Sequence, residues 1–133
     1  MEKEWKVILY KSEEGISPVE DFINSLSKKD YERMINAIEY LKDVGIGLRR
    51  PQGDYLKDGI YELRITLANY NYRTLYFFCY ETYIVLTHSF VKNTDKVPDQ
   101  EINKALKYKE HFLEKYNKTN IEEAYNVSGF HKI

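Results

Sequence analysis

The sequence has a single cysteine, Cys79, which lies inside an apolar run. One thiol cannot form an intramolecular disulfide or a multi-cysteine zinc site, and such sparing use of cysteine is typical of a reducing cytoplasm. The chain also lacks the run of about 18 apolar residues that a membrane span needs, and charges interrupt its first apolar stretch, MEKEWKVILY. We therefore expect a cytoplasmic protein without an export signal or a membrane anchor.

Net charge is almost absent too, because 20 basic residues balance 21 acidic ones to a formal charge of −1. The field of the whole molecule does not indicate a nucleic-acid binder, so any basic site must be local. The sequence also has no glycine-rich phosphate loop, paired-histidine metal motif or serine nucleophile elbow. Kinases, metallohydrolases and esterases are therefore poor alternatives, and we expect neither a metal nor a cofactor.

The composition is that of one globular domain. Hydrophobic residues make up 43% and charged residues 31% of the 133 residues, which is enough for a buried core and a solvated surface. Aromatic residues are in excess, with 13 Tyr and 6 Phe that concentrate in residues 55–90. Tyrosines such as Tyr55, Tyr61 and Tyr76 can stack on unpaired nucleobases, but aromatic residues are also enriched in half-buried sheets. Both interpretations are open on sequence alone.

The first half of the chain predicts a strand followed by two helices. Residues Trp5 to Tyr10 form a short apolar run that is typical of a strand. Ser17-Pro18-Val19-Glu20 combines a serine cap, a proline at the first helical position and a glutamate three residues after the cap, which predicts a helix start. Residues 27–30 predict a second start, and an apolar stripe from Tyr31 to Leu41 predicts a helix that ends at Gly45.

The second half predicts a sheet and a closing helix. Residues 45–59 contain three turn signals and predict a long surface loop. An antiparallel meander is expected from strands at Ile60 to Leu67, Tyr72 to Tyr80 and Tyr83 to Phe90, and its apolar pattern indicates that both faces are covered or used. A third helix should begin at Pro98 and run to about Tyr116, followed by a loosely ordered tail at residues 117–133. The expected fold class is α+β in the order β-α-α-β-β-β-α, with a small antiparallel-rich sheet packed against helices.

Two strand arginines are the main candidates for chemistry. Arg64 lies within IYELRIT and Arg73 opens the next strand, so in an antiparallel pair the two guanidinium groups can come close near the turn end. One interpretation is structural, in which each arginine pairs with a carboxylate such as Glu62 or Glu81. The other is an anion site, because the planar guanidinium donates two parallel hydrogen bonds to phosphate and keeps its charge. Such a site would serve phosphoryl chemistry.

Three further residues are candidates for proton transfer or anchoring. His88 and Lys92 lie in THSFVKN at the end of the last strand, and Lys57 lies in the predicted loop. Histidine titrates near neutrality, although a lone histidine near a strand end is more often a hydrogen-bonded structural residue. An exposed loop lysine is equally well explained by solvation. The same loop carries Arg49 and Arg50, which fits the tendency of binding residues to lie in loops.

A combination of motifs runs through the segment DGIYELRITLANYNYRTLYFFCYETYIVLTHSFVKNTDKVPDQEINKAL. The more specific ones are Tyr61-Glu62-Leu63-Arg64, the pair Tyr72-Arg73, and His88-Ser89-Phe90-Val91-Lys92 followed by Lys96, Pro98 and Glu101. In these motifs and in the order of its elements, the chain resembles the phage-related HigB branch of the RelE/ParE toxin superfamily. The resemblance covers roughly residues 5–116. It implies a RelE/HigB-like toxin domain at residues 1–116 and leaves the tail at residues 117–133 outside.

This resemblance implies the toxin of a toxin–antitoxin system. Such a toxin is an endoribonuclease, or mRNA interferase, that cleaves messenger RNA, usually on the ribosome, and so inhibits translation. The RNA's own 2′-hydroxyl would attack the adjacent phosphate without a metal. The implied partner is a cognate antitoxin, expected to be a helix-turn-helix protein encoded nearby.

The resemblance also implies roles for individual residues. Arg64 and Arg73 would stabilise the charge of the transition state, while Lys57, His88 and Lys92 would anchor the RNA or transfer protons. The other basic residues of the region would contact the RNA backbone, namely Arg49, Arg50 and Lys96.

Asn93 departs from the family pattern, in which a second lysine often follows the position of Lys92. This change lowers the local positive charge and argues against a mechanism that uses two lysines. Together with the neutral overall charge, it also fits a catalytically inactive RelE-like module that binds an antitoxin or RNA.

Overall fold

A five-stranded sheet lies between two helical layers in the computed structural model, which describes residues 4–67 and 70–128. Its strands are β1 (Lys6–Leu9), β2 (Gly53–Lys57), β3 (Ile60–Thr66), β4 (Asn71–Cys79) and β5 (Tyr83–Val91). The helices are α1 (Pro18–Asn24), α2 (Lys28–Val44), α3 (Asp99–Lys115) and α4 (Ile121–Asn126), with a 3-10 turn at Gly45–Gly47. The strand order in space is β1-β5-β4-β3-β2, with β1 parallel to β5 and every other pair antiparallel. The predicted α+β class with a small, mostly antiparallel sheet is confirmed.

Both helices of the first layer begin at the serines that the sequence predicts as caps. Ser17 Oγ accepts a hydrogen bond from the Glu20 N–H at 3.2 Å, and Ser27 Oγ accepts one from the Asp30 N–H at 3.2 Å. Helix α2 ends at Gly45, where φ is +61° and an added Cβ would overlap the indole ring of Trp5. Glycine is required there both by the backbone conformation and by the close approach of the tryptophan.

Both faces of the sheet are covered, as the apolar pattern of the strands predicts. One face packs against α1 and α2 around a core that includes Ile38 and Leu63. The opposite face packs against α3 and α4 around a core that includes Phe77 and Phe112. Each face therefore has its own hydrophobic core, and the sheet is the shared wall between them. In the described part of the chain, no helix is long and apolar enough to span a bilayer.

The predicted surface loop at residues 45–59 contains an edge strand, so that prediction was wrong for β2. This strand pairs antiparallel with β3, with Asp54 opposite Glu62 and Tyr55 opposite Tyr61. Only Gly53 of its five residues is buried. Because a strand of this length on a sheet edge buries so little, it has no apolar alternation that a sequence pattern could show.

The prediction of a loosely ordered tail was also wrong for residues 117–128, because α4 packs against the sheet beside β1. Ile121 and Ala124 are buried, and Glu122 accepts a hydrogen bond from the Tyr83 hydroxyl at 2.6 Å and forms an ion pair with Lys6 at 3.2 Å. A six-residue helix with two buried positions is too short to show helical periodicity. Residues 129–133 of the predicted tail lie outside the described residues, as do Ala68 and Asn69 of the predicted connection between β3 and β4.

Candidate functional site

Arg64 and Arg73 meet in the sheet, as the antiparallel pairing predicts. Their Cα atoms are direct partners in the β3–β4 register, and Phe90 of β5 is the partner of Arg73 on the other side. Side chains directly opposite one another on neighbouring strands share a face. Phe90 packs against the core below α3, so the two guanidinium groups lie on the α3 face of the sheet.

A buried carboxylate, Glu62, faces both arginines. Its side chain is only 4% exposed, and its Oε1 accepts a hydrogen bond from Arg73 Nε at 2.7 Å. The same Oε1 lies 3.5 Å from Arg64 Nε. Arg73 NH1 also donates to the Tyr72 carbonyl at 3.0 Å, and its side chain is 8% exposed. Arg73 therefore has the carboxylate partner that the structural interpretation expects, namely Glu62.

Arg64 is less completely paired. Its 3.5 Å approach to Glu62 Oε1 lacks hydrogen-bond geometry, so the buried Nε–H has no hydrogen-bond acceptor within the described residues. Its NH2 group lies 3.5 Å from Glu62 Oε2 and 3.8 Å from Asp54 Oδ2, and 24% of the side chain is exposed. Arg64 therefore combines a weakly engaged guanidinium with access to solvent.

Asp54 on β2 connects Arg64 to a third arginine. Arg50 donates a hydrogen bond from Nε to Asp54 Oδ2 at 2.8 Å, and its NH2 group forms an ion pair with the same oxygen at 2.7 Å. The hydrogen bond from Arg50 lowers the pKa of Asp54. We call the set of Arg50, Asp54, Glu62, Arg64 and Arg73 the arginine cluster. Three guanidinium groups face two carboxylates, so the cluster keeps one net positive charge on a protein that is nearly neutral overall.

His88 occupies a buried position on the same face of the sheet. Its Cα partner on β4 is Leu75, and its side chain is 4% exposed. Nδ1 lies 3.0 Å from the Thr87 hydroxyl and Nε2 lies 3.1 Å from Glu101 Oε1 at the start of α3. Burial lowers the pKa of His88, and the nearby Glu101 opposes that shift only in part. Both ring nitrogens are engaged, so the structural interpretation fits His88 better than proton exchange with a ligand.

The two candidate lysines lie at opposite ends of the sheet. Lys92 directly follows β5, and its N–H donates to the carbonyl of Asn71 at the start of β4, two residues before Arg73. Its Nζ donates to the Asp95 carbonyl at 3.1 Å. Lys57 pairs with Ile60, four residues from Arg64 along β3 or roughly 13 Å at the rise of a strand. The structure brings Lys92 towards the arginine cluster and leaves Lys57 away from it.

Of the residues predicted to contact RNA, Arg50 alone belongs to the arginine cluster. Arg49 is exposed and donates from NH1 to the carbonyls of Ile46 and Leu48, which holds its guanidinium beside the 3-10 turn. Lys96 is exposed in the segment between β5 and α3. Each of the three is exposed and therefore accessible to a ligand.

Sequence reasoning missed Asp54 and the partner of His88. Asp54 was not recognised as a site residue because β2 was not predicted. A carboxylate four residues after Arg50 could have indicated the ion pair that the two residues form. Glu101 was noted only as part of a motif, yet it joins the start of α3 to β5 through His88. Within residues 4–67 and 70–128, no cluster of three or more His, Cys, Asp or Glu side chains is arranged to hold a metal ion.

The fold and the site together define a small RelE-like α+β protein with a local basic cluster on one sheet face. The family model for phage-derived Gp49-like proteins (DUF891) matches residues 21–110. The chain therefore belongs to the Gp49-like family, which is related to the toxins of toxin–antitoxin systems. No curated protein matches the chain significantly. The matched range contains all five residues of the arginine cluster, together with His88 and Lys92.

Proposed function

We propose that this protein is a toxin of the HigB type that cleaves messenger RNA in the cytoplasm. The observation that carries the proposal is the direct opposition of Arg64 and Arg73 in a cluster with a net positive charge. Phosphoryl transfer without an enzyme-bound nucleophile depends on positioning and on stabilising charge, which guanidinium groups supply. Membership of a toxin-related family supports RNA as the substrate.

In the proposed reaction, the 2′-hydroxyl of one nucleotide attacks the adjacent phosphorus. A bond forms between O2′ and phosphorus while the bond from phosphorus to O5′ breaks, which leaves a 2′,3′-cyclic phosphate and a 5′-hydroxyl end. The proton of the 2′-hydroxyl passes to a base, and O5′ receives a proton from an acid. Negative charge builds on the non-bridging oxygens in the transition state, where a fixed guanidinium is most effective.

The geometry supports different roles for the two arginines. Arg64, with its weakly engaged and partly exposed guanidinium, is the candidate for direct contact with the phosphate. Arg73 is held by the buried Glu62 and is better suited to positioning Arg64 and to adding positive potential. Lys92 lies at the same end of the sheet and is the candidate for anchoring the RNA or protonating O5′. The burial of His88 and the remoteness of Lys57 count against direct roles for these two residues.

The proposed partners are a cognate antitoxin and messenger RNA on the ribosome. An antitoxin is expected from the relation of the Gp49-like family to toxins, and a helix-turn-helix protein encoded nearby is our specific proposal. We propose ribosome-associated cleavage because the HigB-type toxins that this chain resembles usually act on the ribosome.

A second candidate is a RelE-like module that binds an antitoxin or RNA without cleaving it. One specific observation favours it: Arg73 already donates to Glu62 and to the Tyr72 carbonyl, so two of its donors are used internally. The replacement of a second lysine by Asn93 points in the same direction.

Induced expression followed by mapping of new 5′-hydroxyl ends on cellular RNA separates the two candidates. The toxin proposal expects growth arrest and new ends that fall within translated regions. Intact transcripts with normal growth, at an expression level verified by blotting, would contradict cleavage. Purified protein incubated with free RNA and, in parallel, with translating ribosomes then shows whether the ribosome is required.

A further inference from the structure

A pocket lies on the opposite face of edge strand β2 from Arg64 and Arg73. Its volume is about 330 Å³, and its lining includes Ile46, Leu48, Arg49, Asp54, Tyr55 and Tyr61. Tyr55 and Tyr61 are direct cross-strand partners, and both belong to the aromatic excess of the sequence. We call this cavity the Tyr55 pocket.

The ring of Tyr55 is both exposed and fixed in position. The residue is 52% exposed, and its hydroxyl oxygen accepts a hydrogen bond from the Gly59 N–H at 3.1 Å. The ring also packs edge to face on Tyr61, with centroids 5.0 Å apart, and Tyr61 in turn stacks on Tyr76 at 5.5 Å. An exposed aromatic ring held at both ends presents a surface for stacking at little cost in conformational entropy.

The pocket is joined to the arginine cluster by Asp54. This residue lines the pocket, precedes Tyr55 in the chain, and binds Arg50 at 2.7 Å while lying 3.8 Å from Arg64 NH2. Arg49 forms another part of the wall, where its contacts with two backbone carbonyls hold it in place. The fixed ring of Tyr55 and the guanidinium group of Arg49 in the same lining provide the two features that bind single-stranded nucleic acid, stacking and positive charge.

The backbone of β2 argues against a protein strand as the occupant of this edge. The Gly53 N–H donates to the Arg49 carbonyl at 3.1 Å, and the Tyr55 N–H donates to Asp54 Oδ1 at 3.0 Å. Both donors are therefore already used, and a partner strand could not pair with them. A nucleotide binds through its base and its phosphate, so it does not need these two backbone donors.

We propose that the Tyr55 pocket binds an unpaired nucleobase of single-stranded RNA, next to the phosphate that contacts Arg64. The proposal rests on the proposed function for the identity of the phosphate, and it assigns the neighbouring base to the ring of Tyr55. An RNA strand that crosses the edge at β2 would place a base on one face of the sheet and its phosphate on the other. Stacking tolerates every base, so the pocket strengthens binding more than it selects a sequence.

The test uses a fluorescein-labelled single-stranded RNA in which every 2′-hydroxyl is methylated, so that it binds without being cleaved. Fluorescence anisotropy should show that Tyr55→Ala weakens binding by about 5-fold to 150-fold, the usual effect of losing one stacked base. Tyr55→Phe keeps the ring and should stay within about 2-fold of the wild type. Tyr40→Ala is the matched control, because Tyr40 is 47% exposed on α2, away from the pocket. Unchanged binding by Tyr55→Ala would overturn the proposal.

A second probe separates stacking from a change in fold or in charge. The same oligonucleotide with abasic residues should bind the wild type and Tyr55→Ala equally, because it has no base to stack. The proposal would be overturned if Tyr55→Ala bound the abasic probe more weakly than the wild type does. It would also be overturned if Tyr55→Ala lost antitoxin binding while its RNA binding stayed intact.

The outcome is also distinguishable from that of the proposed function. If the wild type cleaves RNA but the Tyr55→Ala variant binds RNA equally well, only the assignment of the Tyr55 pocket is overturned. If binding depends on Tyr55 but no RNA is cleaved, only the toxin mechanism is overturned.

Discussion

Arg64 and Arg73 lie directly opposite each other on neighbouring strands, and one oxygen of Glu62 lies within 3.5 Å of both. Like charges that face each other across a strand pair are destabilising unless an opposite charge lies between them. Glu62 supplies that charge, whereas Glu81, the alternative partner, lies in the turn between β4 and β5 at the other end of the sheet. The two arginines are therefore ion-paired to Glu62, and the three side chains together keep a net positive charge.

The first prediction concerns the stability of the buried pair. Arg73→Ala leaves the Glu62 carboxylate buried without its 2.7 Å partner, and we expect a loss of about 3–5 kcal/mol in the free energy of unfolding. Urea denaturation followed by circular dichroism measures this change. The double variant Glu62→Gln with Arg73→Met removes both charges and should recover much of the loss. A single variant as stable as the wild type would show that the pair is not needed for folding.

The second prediction concerns Arg64 and tests the proposed chemistry. Arg64→Gln should reduce RNA cleavage by about 100-fold to 1000-fold, because it removes a charged donor to the transition state. Arg64→Lys should recover activity only in part, since an ammonium group lacks the planar fork of a guanidinium. The measurement is the rate of appearance of 5′-hydroxyl ends, with the thermal midpoint recorded for each variant. Arg33→Gln, on the exposed side of α2, is the control for loss of one positive charge. Wild-type cleavage rates in Arg64→Gln would remove this residue from the site.

Much of the fold could be predicted because its signals are local. The serine caps of α1 and α2, the glycine that ends α2, and the apolar strands of the meander each depend on a few neighbouring residues. The edge strand β2 was missed although it pairs with the next strand in the chain, because only one of its five residues is buried and it shows no apolar alternation. The short helix α4 could not be predicted, because it is stabilised by contacts with distant residues such as Lys6 and Tyr83.

The candidate site was predictable only where it followed from strand pairing. The expected antiparallel pairing of β3 and β4 brings Arg64 and Arg73 close together. Period-two alternation also places Glu62 on the face of Arg64, so it could have identified Glu62 as the shared partner. The distance between Lys57 and Arg64 depends on how β2 pairs with β3, including the register shift between Tyr55 and Lys57. No local sequence pattern shows that shift.

The third prediction is a dependence of stability on pH through His88. Burial lowers the pKa of His88 in the folded protein, so below the usual value of about 6.5 the unfolded chain binds more protons than the folded one. The free energy of unfolding should therefore fall as the pH is lowered through about 6.5, until the folded pKa is reached.

Denaturant midpoints measured between about pH 5 and pH 8 test this dependence. His88→Gln should be less stable at neutral pH, because it loses contacts with Thr87 and Glu101, but its stability should change less between the two ends of the range. Parallel curves for the wild type and the variant would contradict a lowered pKa at His88.

The fourth prediction concerns α4, which lies outside the range matched by the family model. Ile121 is 2% exposed and packs in the core between the sheet and α3, so Ile121→Ala should lower the free energy of unfolding by about 2–5 kcal/mol. Val127 is 52% exposed just after the same helix, so Val127→Ala should change it by less than about 0.5 kcal/mol. Urea unfolding of both variants measures the difference. If the two substitutions have equal and small effects, α4 does not contribute to the core, and the segment after α3 is a tail as its sequence predicts.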